Sequence, residues 1–205
     1  MGLLEQLRDK PWEAAAGTVD ERFGRRSVEM AAPHVGLRVF LGVATVVFCL
    51  SIIVYADRMT YGDWSVLPEP WVLWLNTAML ILSSIGLHWA QLSASRGQID
   101  RVRDGLLIGG VFAFMFLAGQ LYVSQQLVAQ GYYAASNPAN SFFYMLTALH
   151  AVHLFGGLVA WGRTILKVWQ GVKVSDVRMT VEMCAIYWHF LLVVWFVLFG
   201  LLLFT

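Results

Sequence analysis

Acidic residues are nearly absent from the apolar part of this chain. Across five long hydrophobic runs, approximately 37–56, 71–90, 106–127, 141–166 and 181–204, the only carboxylate is Glu182, at the edge of the last run. Charge is scarce throughout: Asp, Glu, Lys and Arg make up 13% of the 205 residues, hydrophobic residues 59%, and the net charge is +1. With a mean hydropathy of +0.64, that balance excludes a soluble domain. A near-neutral chain also offers no electrostatic case for a nucleic-acid partner. Cysteine is scarce too. Cys49 and Cys184 both fall in apolar runs without a Cys-X-X-Cys spacing, so neither a thiolate metal site nor a disulfide framework is expected. No internal repeat is visible, and broken helices or central charges are missing, which argues against a small transporter.

What is present is hydrophobic length. Each run is about 18–25 residues, enough to cross a hydrocarbon core about 30 Å thick. The expected fold class is therefore all-α, a polytopic integral membrane bundle of five transmembrane helices over 37–205. The polar, mixed-charge segment 1–36 is expected to be a cytoplasmic N-terminal arm. It does not read as a cleavable signal, which would place an apolar core directly after a short basic start. Partial order against a partner and a disordered tail are both compatible with its composition.

Basic residues sort to one side of these runs. Arg8, Lys10, Arg22, Arg25, Arg26 and Arg38 precede or open the first run; Arg96, Arg101 and Arg103 lie near 91–105; Arg163, Lys167, Lys173 and Arg178 lie near 163–180. Only Arg58 falls on the other side. Positive residues remain cytoplasmic during insertion, which predicts a cytoplasmic N-terminus and an outside C-terminus, consistent with an odd number of spans. Trp71, Trp74, Trp89 and Trp169 cluster at run ends, as an interfacial aromatic belt requires.

The chemically distinctive residues are histidines. Thr147-Ala148-Leu149-His150-Ala151-Val152-His153-Leu154-Phe155-Gly156-Gly157 places Thr147, His150 and His153 on one helical face, and Tyr187-Trp188-His189-Phe190 opens a second apolar helix. Imidazole in hydrocarbon needs a partner for its ring nitrogens. Two readings follow from the residues alone: metal or haem ligation, or a polar seam bonding helices together. His88 sits beside Trp89 and reads as interfacial. Glu182 lies at a helix start, where the helix dipole favours an anion, with Arg178 one turn before it. Arg58, as the lone outer cation, is placed to meet a partner or an anionic headgroup. Gly156, Gly157 and Ala160, with Gly109, Gly110 and Ala113, mark close-packing faces. The small residues of the first and third runs, Gly42, Ala44, Gly109, Gly110, Ala113 and Gly119, are expected to include a face for a partner subunit.

Taken together, the Thr-X-Leu-His-X-X-His-X-X-Gly-Gly and Tyr-Trp-His-Phe segments resemble the last two helices of subunit III of haem–copper terminal oxidases. The resemblance extends back through Gly119-Gln120-Leu121-Tyr122, Asn76-Thr77 with Leu80, Ser83 and Ser84, and Phe40-Leu41-Gly42 with Phe48, Tyr55 and Arg58. It is to the shorter, five-helix bacterial type, without the first two helices of the mitochondrial form.

That resemblance implies a non-catalytic subunit of an oxygen-reducing complex in a bacterial inner membrane, fed by cytochrome c or quinol. It implies no catalytic, metal or cofactor-binding residue in this chain, haem and copper in the partner subunits I and II, and bound phospholipid. His150, His153, His189, Trp188, Glu182, Arg58 and Thr147 become candidates for lipid contact or helix packing. The sequence departs from the family pattern at three acidic positions, occupied here by Ala44, Val123 and Leu192. Their loss favours a divergent branch, and an accessory protein of nitric oxide reduction is one alternative. A stand-alone b-type cytochrome pairing His150 or His153 with His189 is another.

Overall fold

A computed structural model describes the backbone of residues 11–62, 71–171 and 174–203, and the side chains of 33–62, 71–171 and 177–203. Five helices account for nearly all of it: α1 (Pro11–Arg58), α2 (Val72–Ser95), α3 (Ile99–Ala129), α4 (Pro138–Trp169) and α5 (Val174–Leu203). Each contains a stretch long and apolar enough to cross a membrane, at Pro33–Arg58, Val72–Ser95, Ile99–Ala129, Pro138–Trp169 and Val177–Leu203. No strand occurs among the described residues. The fold is all-α, as its composition requires, because a single helix satisfies all its backbone polar groups within hydrocarbon.

The helix ends follow local chemistry. Asn137 caps α4, its side chain accepting from the Ala139 amide at 3.1 Å, and Pro138 occupies the first turn, where its missing N–H is no loss. Helices α2, α3 and α4 each end two residues before a glycine in the left-handed region, Gly97, Gly131 and Gly171, with φ of 73°, 90° and 74°. A side chain is disfavoured there, and the turn ends the helix. The candidate arm falls partly on residues 1–10, outside the described residues. Residues 11–36 belong to the start of α1.

Contacts divide the chain into Met1–Gly42 and Val43–Thr205. Within the second unit, α2 and α3 lie backbone to backbone. A Cβ added at Gly105 would stand 2.8 Å from the Ala90 nitrogen and the Gly86 carbonyl, and one at Gly86 would stand 2.9 Å from the Gly109 nitrogen. Such spacing exists only where side chains are absent, and it substitutes van der Waals contact for the hydrophobic drive that lipid removes. Helix α1 packs differently. Its buried Phe48 and Tyr55 reach Leu146 of α4 and Val194 and Leu198 of α5, so large side chains rather than glycines bridge this contact. Only 17% of the most apolar stretch of α1 is buried, against 33–44% in the other four spans. The face carrying Val43, Val46, Val47, Leu50, Ile53 and Val54 is exposed.

Candidate functional site: a histidine and indole seam

Helices α2, α3, α4 and α5 are tied together by polar groups spaced along α2. Trp188, 0% exposed, donates its indole N–H to Ser83 Oγ at 2.8 Å, and Ser83 in turn donates to the Gly109 carbonyl at 2.6 Å. That chain runs from α5 through α2 to α3. One and a half turns along α2, Trp195 donates to Thr77 Oγ1 at 3.0 Å while Thr77 donates to its own Leu73 carbonyl at 2.8 Å. Asn76 Nδ2 donates to Gln120 Oε1 at 2.7 Å. The seam closes on α4, where Tyr187 donates to the His153 carbonyl at 2.7 Å. The Tyr187 and Trp188 rings fill the notch at Gly157, where an added Cβ would stand 2.7 and 2.9 Å from them. Each bond pairs a group that hydrocarbon could not solvate.

The sequence candidates take distinct positions around this seam. His150 is 1% exposed and lies among three aromatic rings. These are Trp195 at 5.3 Å, Phe116 at 5.9 Å and Phe48 at 6.4 Å between ring centres. Neither of its ring nitrogens has a hydrogen-bond partner. His153 is half-buried, its ring 5.2 Å from Phe48, and its Nδ1 donates to the Leu149 carbonyl at 2.8 Å. Phe48 thus lies against both histidines of α4. Thr147 is half-buried one turn before His150 and makes no hydrogen bond to it.

On α5, His189 turns away from this cluster. It is exposed, donates Nδ1–H to the Ala185 carbonyl at 2.6 Å, and faces His88 of α2. No ring contact among the described residues joins it to His150 or His153; its ring partner is His88. Among the described residues, no group of three or more His, Cys, Asp or Glu could hold a metal ion. Glu182 is half-buried near the start of α5. Arg58 closes α1 and sits over the Tyr61 ring at 4.7 Å.

Of the two spans whose small residues were expected to include a partner face, the third does not provide it. The α3 glycines do not form an outward face. Gly109 abuts Leu87, Gly110 abuts the Trp161 ring, Gly119 abuts the Asn76 side chain, and Ala113 is 0% exposed. This chain's own α2 and α4 consume the entire stripe, because the α3 glycines are where neighbouring backbone and indole must fit. Of the first-span residues, Ala44 is likewise buried and Gly42 has nothing within 4 Å of an added Cβ. The sequence alone does not mark Phe48 and Phe116 as ring contacts of His150, or Trp161 as a hydrogen-bonding anchor. Their sole signal was large aromatic side chains in helices rich in glycine and alanine.

Residues 65–204 match the family described as Cytochrome c oxidase subunit III. A probable cytochrome c oxidase subunit 3 of Nocardia farcinica is 29% identical over 93% of this chain and 98% of its own length. Cytochrome c oxidase subunit 3 of Thermostichus vulcanus is 28% identical over 91% of this chain and 96% of its own. That of Corynebacterium diphtheriae is 29% identical over 91% and 96%.

Proposed function

Since the chain belongs to the cytochrome c oxidase subunit III family, we propose that it packs on the catalytic subunit I and on subunit II of a haem–copper oxidase, holds phospholipid at their contact, and prolongs the working life of the oxygen site. It is a multi-pass membrane protein and a non-catalytic subunit of that complex. The complex reduces oxygen to water with electrons from cytochrome c or quinol, and its haem and copper reside in the partner subunits. The chain sits in a bacterial inner membrane with its N-terminus in the cytoplasm.

The observation that carries this reading is where the polar side chains of the membrane helices are used. Trp188, Trp195, Tyr187, Ser83, Thr77, Asn76 and Gln120 bond helix to helix. A scaffold requires that use, because interhelical hydrogen bonds and close packing are what hold membrane helices in register. The exposed apolar face of α1 supports a neighbouring helix or lipid beside it. Arg58, at the outer end of α1, supports a lipid phosphate or acidic side chain as its further partner. Glu182 and His189 would border lipid toward the opposite membrane face, while Trp188 serves helix packing inside the seam.

Deleting the chain from its host and purifying the remaining complex tests the proposal. The expected complex lacking this chain retains its spectrum and initial rate of oxygen uptake, then loses activity faster over successive turnovers. A complex that lasts as long without the chain, or a chain that purifies apart from subunits I and II in mild detergent, would overturn it.

A further inference from the structure

A groove of about 390 Å3 lies along the α2–α3 contact, at the end of the bundle where α2 begins and α3 finishes. Val72, Asn76 and Met79 form one wall, and Met115, Gly119 and Tyr122 form the other, with Ala118 beside them. Each set repeats at i, i+4 and i+7, so each wall is one helical stripe and the groove follows the helix axes. It starts at Trp71 and reaches Met79, eight residues farther, which is about 12 Å at 1.5 Å per residue. One leaflet, half of a hydrocarbon core about 30 Å thick, is only slightly deeper. The hollow has a cause in the sequence. Ala118 and Gly119 leave α3 without bulk, and Asn76 packs against Gly119 and donates to Gln120 at 2.7 Å, so its amide is buried between the helices.

The lining decides what fits. A water needs two to four polar partners, and below the Trp71 and Tyr122 rings the walls offer one side-chain amide, whose nitrogen is already engaged. A single side chain from a neighbouring helix is too small, because a cavity of about 150 Å3 already holds a benzene ring. Leu75, Met115, Trp71 and Tyr122 are exposed, so the groove opens sideways onto the apolar surface of the bundle. Amphipathic rings such as Trp71 and Tyr122 sit at the level of lipid headgroups. Met79 and Met115 line the inner part, and thioether side chains adapt to a chain of no fixed shape. We propose that this groove binds one acyl chain of a phospholipid of that leaflet, held lengthwise between α2 and α3, with its ester group level with Trp71 and Tyr122. The site belongs to this chain alone. It takes from the function proposed above only the membrane placement, not the contact with subunits I and II.

The test uses the complex reconstituted in vesicles of phosphatidylethanolamine and phosphatidylglycerol, a small fraction of them carrying a diazirine in one acyl chain. The complex is extracted, washed in phospholipid-free mild detergent and only then irradiated, and crosslinked peptides of this chain are mapped by mass spectrometry. Crosslinks at Met79 and Met115 should survive the wash, while those at Val111, exposed on α3 outside the groove, should be lost. Ala118→Phe fills the groove from an exposed position and should abolish the surviving crosslinks; Val111→Phe should leave them intact. Crosslinks at the two methionines that wash out as readily as those at Val111, or that persist in Ala118→Phe, would overturn the site. So would an isoprenoid quinone, instead of a phospholipid, missing from extracts of Ala118→Phe. Methionines unreactive even in unwashed vesicles would mean that a partner helix covers the groove, and would equally overturn the proposal. Because the crosslink is read on this chain's own peptides, a chain that purifies apart from subunits I and II would refute the proposed function and leave this result readable.

Discussion

The Trp161 indole of α4 occupies the space that a side chain at Gly110 of α3 would need, and its Nε1 donates to the Leu106 carbonyl one turn earlier at 2.8 Å. One aromatic residue thereby spans the α3–α4 contact and anchors itself on the α3 backbone. Gly110→Ala should force the ring aside, at a cost of about 1–3 kcal/mol for overpacking. Pairing Gly110→Ala with Trp161→Leu should recover part of that loss, since the smaller side chain vacates the overlap. Thermal inactivation of the detergent-solubilised complex reads both. Damage that Trp161→Leu does nothing to relieve would place the Gly110 clash on a partner subunit instead.

The two buried tryptophans of α5 each combine a large buried ring system with one interhelical hydrogen bond. Trp195→Phe and Trp188→Phe remove the donors to Thr77 and Ser83 while keeping most of the ring. Interhelical hydrogen bonds in membranes are worth about 0.6 kcal/mol on average and up to about 1.7, and each change also gives up the packing of the lost ring, so each should cost more than the bond alone. Alanine at either position leaves a cavity as well and should cost about 3–5 kcal/mol. Denaturation of the purified complex in rising SDS separates the two effects. A phenylalanine variant as damaging as alanine would show that the hydrogen bond, not the ring volume, dominates.

Helix number and type were legible because hydrophobic length in a membrane protein is a direct record of bilayer thickness. The seam was legible in part. Asn76, Thr77, Ser83 and Ser84 stand out as polar residues spaced by turns within the apolar α2, and the resemblance had already picked them out. Their partners were not, because Trp188 and Trp195 meet Ser83 and Thr77 across more than a hundred residues, a distance over which periodicity carries no information. The fate of the α3 glycines was hidden for a related reason. Small residues show that something approaches closely but not what, and here Trp161, Leu87 and Asn76 do so from within the same chain. His150 and His153 looked equivalent at a spacing of three, yet one is enclosed by rings and the other satisfies itself on its own helix.

Thirteen of the fourteen lysines and arginines lie in the N-terminal arm through Arg38 and in the segments near 91–105 and 163–180, a bias that predicts a cytoplasmic N-terminus. Single cysteines at Tyr133 and Asp100, both exposed positions at opposite ends of α3, test it in a background with Cys49 and Cys184 replaced. An impermeant maleimide applied to intact cells should label Tyr133→Cys and leave Asp100→Cys unlabelled until the membrane is opened. The opposite pattern would invert the orientation.

The last prediction concerns protons. Where the resembled family carries membrane acids, this chain has Ala44, Val123 and Leu192, and the structure buries Ala44 and Val123 at 2% and 0% exposure. A carboxylate in hydrocarbon costs a few kcal/mol and is kept chiefly for function, so its absence at these positions removes the groups through which the chain could collect protons. His150 is sealed by Phe48, Phe116 and Trp195, and His153 and His189 each tie Nδ1 to their own helix, so the histidines do not form a continuous relay. Dicyclohexylcarbodiimide should therefore leave the spans of this chain unmodified, and Ala44→Glu should create a reactive position, at some cost in stability because the site is buried. In reconstituted vesicles, the number of protons moved per electron should be the same with and without the chain at equal initial activity, and only the decline of activity over successive turnovers should differ. An immediate change in that ratio would assign the chain a part in proton transfer that its side chains do not provide for.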